Sequence, residues 1–388
     1  MHIGVVTTSW PHTHDPTAGA FAYALTHALA LRGHTHTVLF AQAPSSAGSP
    51  HTLSSTALFP LDYGARDHNT LFYGAGAPHR LRARSGELAR SLALGLRFTY
   101  VITRAVQRHL RDCDALISHF ALPSALAAAV HRAGRPHHAI VHGSDQHALA
   151  HMPRALQRAI AQRCTSIQFV HPSLRDGLDP SWAGHPHAWD HPMGAEPLSA
   201  EIRATRESTR ASLNLQQDHT LVLCVARCVE AKGLEVLVRA MQQLPTSTQC
   251  VVVGDGPLRA ALAAQSQGRV HFVGAQQAHT RDRWLAAADL FVLPSLQDSA
   301  PTALIEAMCA GLPCIATHVG GIPWIAGDAV LLVPPGCPDA LRDAMRALSQ
   351  DPGARSERAQ RGRERGLAWR WRELARRTEY TLSDALNH

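Results

Sequence analysis

The chain has 388 residues, 45% of them hydrophobic and 17% charged, with a formal net charge of +7. That length exceeds what one hydrophobic core supports, because single cores stop growing at about 250–300 residues, so two domains are expected. The composition excludes disordered, fibrous and disulfide-stapled classes, and no run approaches the roughly 18–20 consecutive apolar residues of a membrane span.

In chain order, short apolar runs alternate with helical patterns, which is the signature of βαβ units and parallel sheets. The runs IGVVTT (3–8), TVLFA (37–41), ALISHF (115–120), HAIVHG (138–143) and SIQFV (166–170) read as strands of a first half. The helical pattern AFAYALTHALALRG (20–33) stops on Gly33. Ser45–Asn69 clusters Ser, Gly and Pro in its first part and reads as loops. The pattern lapses over Met193–Gln217, which places a boundary near residue 197. A second set then follows: LVLCVA (221–226), CVVVG (250–254), VHFVG (270–274), DLFVLP (289–294), PCIAT (313–317) and VLLV (330–333). The expected fold class is α/β, two Rossmann-like doubly wound domains facing each other across a cleft. In such sheets ligands bind beyond the carboxyl ends of the strands.

The segment after 289–294 is richest in chemistry. Asp298 precedes a helix opening near Pro301, and Glu306 lies within that helix. Proline suits a first helical turn. The free N–H groups around Ala300, Thr302 and Ala303 suit a phosphate. Glu306 reads either as a ribose-binding carboxylate or as an exposed helix residue. After 221–226 come Arg227 and Lys232, with Gly233 beside the lysine: a clamp for a diphosphate, or a solvated loop. Lys232 is the only lysine among 37 basic residues, and a compact ammonium approaches a phosphate differently from a planar guanidinium. VVVGDGPLR (251–259) is a glycine-rich strand exit that reads equally as a turn. In the first half, SWPHTHDPTAGAF is not G-x-G-x-x-G, which argues against a dehydrogenase site. Gly19 nevertheless sits at a helix start. His119 and the His142-Gly143-Ser144-Asp145 run end strands, where histidine either bonds a sugar or belongs to a polar loop.

Eight cysteines without a CxxC pair read as buried and reduced. The pairs and runs His12/His14, His137/His138 and His185/His187/His191 lack zinc spacing, so surface or loop positions are expected and no metal site is. MHIGVVTTSW has no basic and long apolar leader, which points to a cytoplasmic protein. On a predicted helix, Arg90, Arg97, Arg104, Arg108 and Arg111 form one stripe, with Leu88, Leu92, Ile102, Val106 and Leu110 opposite. The stripe reads as a solvated face or as a contact for an anionic membrane surface.

Taken together, ARCVEAKG, VVGDGPL, VHFVG, ADLFVLPS, the Asp298-to-Glu306 spacing, AGLPCIAT and GGIP make the chain resemble the family-four-type retaining glycosyltransferases of the GT-B architecture. The first half resembles them more loosely, through AGAFAYALTHALALRGH, DALISHF and HGSD. The resemblance implies domains over 1–197 (acceptor side) and 198–370 (nucleotide-sugar donor side), with a last helix over 371–388 crossing back to the first domain. It implies that Arg227 and Lys232 neutralise the donor diphosphate and that Glu306 holds the ribose. Asp298 and His142 would lie near the transferred sugar. Gly19 and the glycine-rich turn at Gly254 would lie near the donor, and backbone around Val273 would meet the base. It further implies transfer of a hexose from a nucleotide diphosphate sugar to a saccharide or lipid-linked acceptor, with retention and without cofactor or metal. The pathway implied is envelope or extracellular polysaccharide assembly. Three departures stand out: aspartate in place of glutamate at 298, Trp324-Ile325 after GGIP, and HPMGAE (191–196) where P-N-G-x-D is common. A binding protein without turnover on the same fold is the competing reading. The arginine-rich tail carries no nucleic-acid motif.

Overall fold

The computed structural model describes residues 1–65, 72, 85–131, 134–212 and 219–387; the side chains of 85–90 and 144–147 fall outside that description. Two compact units result: Met1–Pro192 with Trp371–His388, and Met193–Arg370.

The first unit is built on a parallel sheet of β1 (His2–Val6), β2 (Thr35–Ala41), β3 (Thr56–Leu61), β4 (Ala115–His119), β5 (His137–Val141), β6 (Ser166–Phe169) and β7 (Ala188–Asp190). Their order is β3-β2-β1-β4-β5-β6-β7. Ile3, Val5 and Val6 of β1 and Val38 to Ala41 of β2 are buried. Such continuous apolar runs suit strands covered on both faces. Two strands were not visible in the sequence. β3 lies inside the stretch expected to be irregular; it is an edge strand, which is why it tolerates Pro60 and is only half-buried. β7 has three residues, too few to show a period. Residues 66–69 of that same stretch lie outside the described residues.

The second unit carries β8 (Thr220–Val225), β9 (Thr248–Val253), β10 (Val270–Gly274), β11 (Leu290–Leu293), β12 (Cys314–Thr317) and β13 (Leu331–Val333), in the order β10-β9-β8-β11-β12-β13. Strand alternation sends Leu221 and Leu223 into one core layer, with the Ala278–Ala287 and Thr302–Ala310 helices. Val222 and Cys224 enter the other, with the Leu234–Gln242 and Pro338–Gln350 helices. The strand order reverses between β8 and β11, the place where open α/β sheets bind ligands beyond the strand ends. The unit's two ends are fastened together: Ala195 N–H donates to Trp369 O (3.1 Å), and Arg370 pairs with Glu196 at 3.0 Å.

In the first unit, the Trp371–Asn387 helix holds Glu379 against Arg32 and His34, and Arg377 lies 4.3 Å over the Trp189 ring. The Ser85–His109 helix buries Ser91, Phe98, Ile102 and Val106, with Leu110 just beyond its end, and exposes Arg97, Arg104 and Arg108, as well as Arg111 further on. Leu92 departs from expectation. Two turns before Phe98 the buried face is occupied by Ser91, so Leu92 turns outward. There it is 52% exposed and forms a ridge with Leu96 (74%) and Tyr100 (66%). The Leu88 and Arg90 side chains lie outside the described residues.

Two compositional expectations need correction. Seven cysteines are free and buried, but Cys337 is half-buried. The histidines are not mainly at the surface: His12, His137, His138 and His191 are buried. His137 shares a hydrogen bond with Ser118 Oγ (2.8 Å), and His138 with Ser166 Oγ (2.7 Å). Among the described residues no group of three metal-ligating side chains comes together.

Candidate functional site

The site in the second unit is made by loops that leave adjacent strands and lock together. After β8 a short 3-10 turn, Glu230–Lys232, ends on Gly233 with φ +59°. A Cβ at Gly233 would overlap the Pro294 carbonyl oxygen, so only glycine lets the lysine turn close on the β11 exit. The N–H groups of Leu296 and Gln297 donate to Ala231 O (2.8 and 3.0 Å). The β12 loop joins through Gly321 N–H to Asp298 O (3.0 Å) and Thr317 Oγ1 to Ser295 O (2.5 Å). The β9 loop joins through Cys228 N–H to Asp255 O (2.8 Å), and Gly254 passes so close that a Cβ there would overlap Ala226 O.

At the centre, Lys232 Nζ forms an ion pair with Asp298 Oδ2, and Ser295 Oγ donates to the same oxygen (3.2 Å). The two side chains are 20% and 9% exposed, so the pair sits largely out of solvent. Aspartate at 298 is thus engaged by lysine. Arg227 lies exposed on the same β8 loop, and among the described residues its guanidinium has no ion pair. Pro301 caps the Thr302–Ala310 helix. The N–H groups of Thr302 and Ala303 open the first turn, where no intrahelical acceptor exists, and Ala300 is half-buried just before it.

Glu306, one turn further, is half-buried and not unpartnered: Arg281 Nη1 of the neighbouring Ala278–Ala287 helix lies 2.9 Å from its Oε1. Burial pushes the Glu306 carboxyl up, and Arg281 opposes that rise. Val273 stands at a bulge where the β9–β10 register shifts between Phe272 and Gly274, so it drops out of the ladder. Its carbonyl accepts from Gln276 Nε2 (2.7 Å).

In the first unit Gly19 opens the Ala20–Ala30 helix at φ +64°, and a Cβ there would overlap Ser9 O. His142, just after β5, is buried against the rings of Phe21 and Phe120, with both centroids 4.6 Å away. Its Nε2 lies 3.4 Å from His119 Nδ1. Burial lowers His142 to about 3 and drives His119 well down as well. His119 is therefore part of an aromatic core rather than of a polar loop. The Ser144 and Asp145 side chains lie outside the described residues.

Lys232 and Asp298, widely separated in sequence, are thus brought into contact, whereas Glu306 is met by a residue that sequence reasoning missed. Arg281 lies in a polar helix, AHTRDRWLAA, with no motif to mark it. Ser295 also escaped notice, as did Gly320 of the GGIP motif, where a Cβ would overlap Asp298 O. Of the departures, Trp324 packs on Trp369 (centroids 5.1 Å apart), and Arg365 Nη2 donates to its carbonyl (2.5 Å).

The family described as Glycosyl transferases group 1 matches residues 219–351. A putative teichuronic acid biosynthesis glycosyltransferase, TuaC of Bacillus subtilis, is 33% identical over 246 residues, which is 60% of this chain and 60% of that protein. The chain spans about half the length of the curated relatives it matches. Sucrose-phosphate synthase from Thermosynechococcus elongatus superposes with a TM-score of 0.74 at 21% identity, covering 100% of this chain and 99% of that one. Anabaena HepE in complex with UDP and glucose gives 0.70 at 17% identity, covering 98% and 99%. Two parallel-sheet units give this chain the GT-B fold of those structures, and the lysine loop lies inside the part of the second unit that matches the group 1 glycosyl transferases.

Proposed function

We propose that this protein transfers a hexose from a nucleotide diphosphate sugar to a saccharide or lipid-linked acceptor, with retention at the anomeric carbon and without a metal. The supporting observation is the Lys232–Asp298–Ser295 cluster at the strand-order reversal, next to the open start of the Thr302–Ala310 helix. The barrier to transfer is departure of an anionic diphosphate from an oxocarbenium-like carbon. Lys232, Arg227 and the helix start place positive charge where that anion develops, and fixed charge of this kind dominates the rate enhancement in many active sites. Glu306 would hold the ribose, and the bulged backbone at Val273 the base. The departing phosphate itself takes the acceptor proton, so no carboxylate nucleophile is needed.

The names of the relatives, including teichuronic acid, lipopolysaccharide core and amylovoran biosynthesis glycosyltransferases, support an envelope or extracellular polysaccharide pathway. The Anabaena HepE complexes with UDP and UDP-glucose make UDP-sugars the first donors to try. The test is a panel of UDP-, GDP- and ADP-sugars with EDTA present. Release of one nucleotide diphosphate is expected, and failure of every donor to bind or react overturns the reading.

The acceptor side of the reading concerns the Ser85–His109 helix. No helix among the described residues is long and apolar enough to cross a membrane. The outward ridge of Leu92, Leu96 and Tyr100, next to exposed Arg97, Arg104, Arg108 and Arg111, instead suits peripheral contact with an anionic surface. Each basic residue near such a surface contributes roughly 1 kcal/mol. Flotation with phosphatidylglycerol-containing vesicles should exceed that with phosphatidylcholine alone; equal flotation rules this out.

A further inference from the structure

Arg281 is committed to carboxylates through each of its guanidinium nitrogens. Nη1 meets Glu306 Oε1 at 2.9 Å, while Nε and Nη2 meet Asp282 Oδ1 at 3.1 and 2.9 Å. The Arg281 and Glu306 side chains are 28% and 17% exposed. Removing one member of such a pair leaves its partner poorly compensated. The ion pair is also one-sided, since Arg281 approaches Glu306 through Oε1. A carboxylate fixed through one oxygen presents the other in a set direction, with lone pairs for two hydroxyl donors. A vicinal diol fits that demand.

We propose that Arg281 is a positioning residue that fixes Glu306 through Oε1 and so aims Oε2 at the ribose hydroxyls of the donor. This rests on the functional reading above, in which Glu306 holds the ribose. The guanidinium suits the task because its planar fork is preorganised and engages Glu306 and Asp282 at once, whereas an ammonium would hold the carboxylate less firmly. Arg281 itself need not touch the nucleotide. An interhelix brace with no further role would have the same contacts but would not distinguish ribose from deoxyribose.

The experiment is calorimetric titration of UDP, GDP and ADP, and of the 2′-deoxy counterpart of whichever binds, into the full chain. Wild type, Arg281→Met, Arg281→Lys, Glu306→Gln and the Arg281→Met/Glu306→Gln double variant are compared, with thermal melts to confirm folding. Wild type is expected to prefer the ribonucleotide. Arg281→Met should weaken ribonucleotide binding about tenfold and leave deoxynucleotide binding nearly unchanged. Arg281→Lys should restore part of the preference, and Arg281→Met should add nothing in the Glu306→Gln background. With the donor found by the panel, KM should rise while kcat holds. A wild-type ribose preference in Arg281→Met, or equal loss for both nucleotides, overturns the role of Arg281 and leaves the functional reading standing. Absence of nucleotide binding in wild type overturns both.

Discussion

Replacing Lys232 by alanine should lower kcat by about 10²–10³, with a smaller change in KM. Loss of one charge-stabilising donor typically raises a transition state by about 2.7–4 kcal/mol, and the effect grows with the charge on the leaving group. The charge on a departing diphosphate rises as the glycosidic bond breaks, so the ammonium is worth more in the transition state than in the bound donor. Arginine should not restore the rate. The turn that carries Lys232 closes on the β11 exit through Gly233, and a planar guanidinium does not reproduce the compact point charge that Nζ brings to Asp298. Lys232→Ala also strands a carboxylate that is only 9% exposed. Lys232→Ala/Asp298→Asn is therefore the stability control, since it removes both charges at once. Rates in EDTA with the donor found by the panel, alongside thermal melts, decide the matter. Near-wild-type turnover in Lys232→Ala would falsify the assignment.

Acidification from pH 7.5 to 5 should destabilise the first unit sharply. His36, His119, His137, His138 and His142 are buried there, and burial lowers all five. The lowered values are about 4 for His36 and His138 and about 3 for His137 and His142. An unfolded histidine titrates near 6.5, so below that pH the unfolded chain binds protons that the folded chain refuses. The stability these groups contribute is complete above about pH 6.5 and drains away as pH falls towards 4 and then 3. At pH 5 each one costs up to about 2 kcal/mol, which for several together rivals the whole stability of an ordinary domain. Both ring nitrogens of His36 lack a hydrogen-bond partner among the described residues. His36→Leu should therefore flatten the pH dependence by close to one proton without breaking a hydrogen bond. The check is the melting temperature from pH 7.5 to 5, for wild type and His36→Leu. An unchanged melting temperature across that range contradicts a histidine origin for acid sensitivity.

The sheets were largely legible because strands of a covered parallel sheet are mostly apolar, and eleven strands show such short apolar runs between helical patterns. β3 and β7 did not, one because an edge strand carries Pro60 and is half-buried, the other because three residues show no period. The loops of the site were legible where their job requires a residue type that stands out: a lone lysine, or a glycine beside it. The contacts between loops were not. Nothing in the sequence says that Asp298 turns to Lys232, since that depends on β8 and β11 being neighbours. Arg281 was invisible for a related reason: one arginine among many acquires meaning only when the Ala278–Ala287 and Thr302–Ala310 helices lie side by side. Leu92 was misplaced because the inward side of its helix turn is filled by Ser91, an exchange that hydrophobicity alone does not anticipate.

The fastening of Ala195 to Trp369, and of Glu196 to Arg370, has a topological meaning. The chain leaves the first unit, completes a whole domain, and returns through a gate whose two posts are hydrogen-bonded to each other. Seen this way, the second unit is an insertion: a self-contained cassette clipped shut at its base and threaded into a host whose final helix comes after it. A cassette of that kind can be exchanged between related chains as one piece, with the clip residues serving as the natural suture.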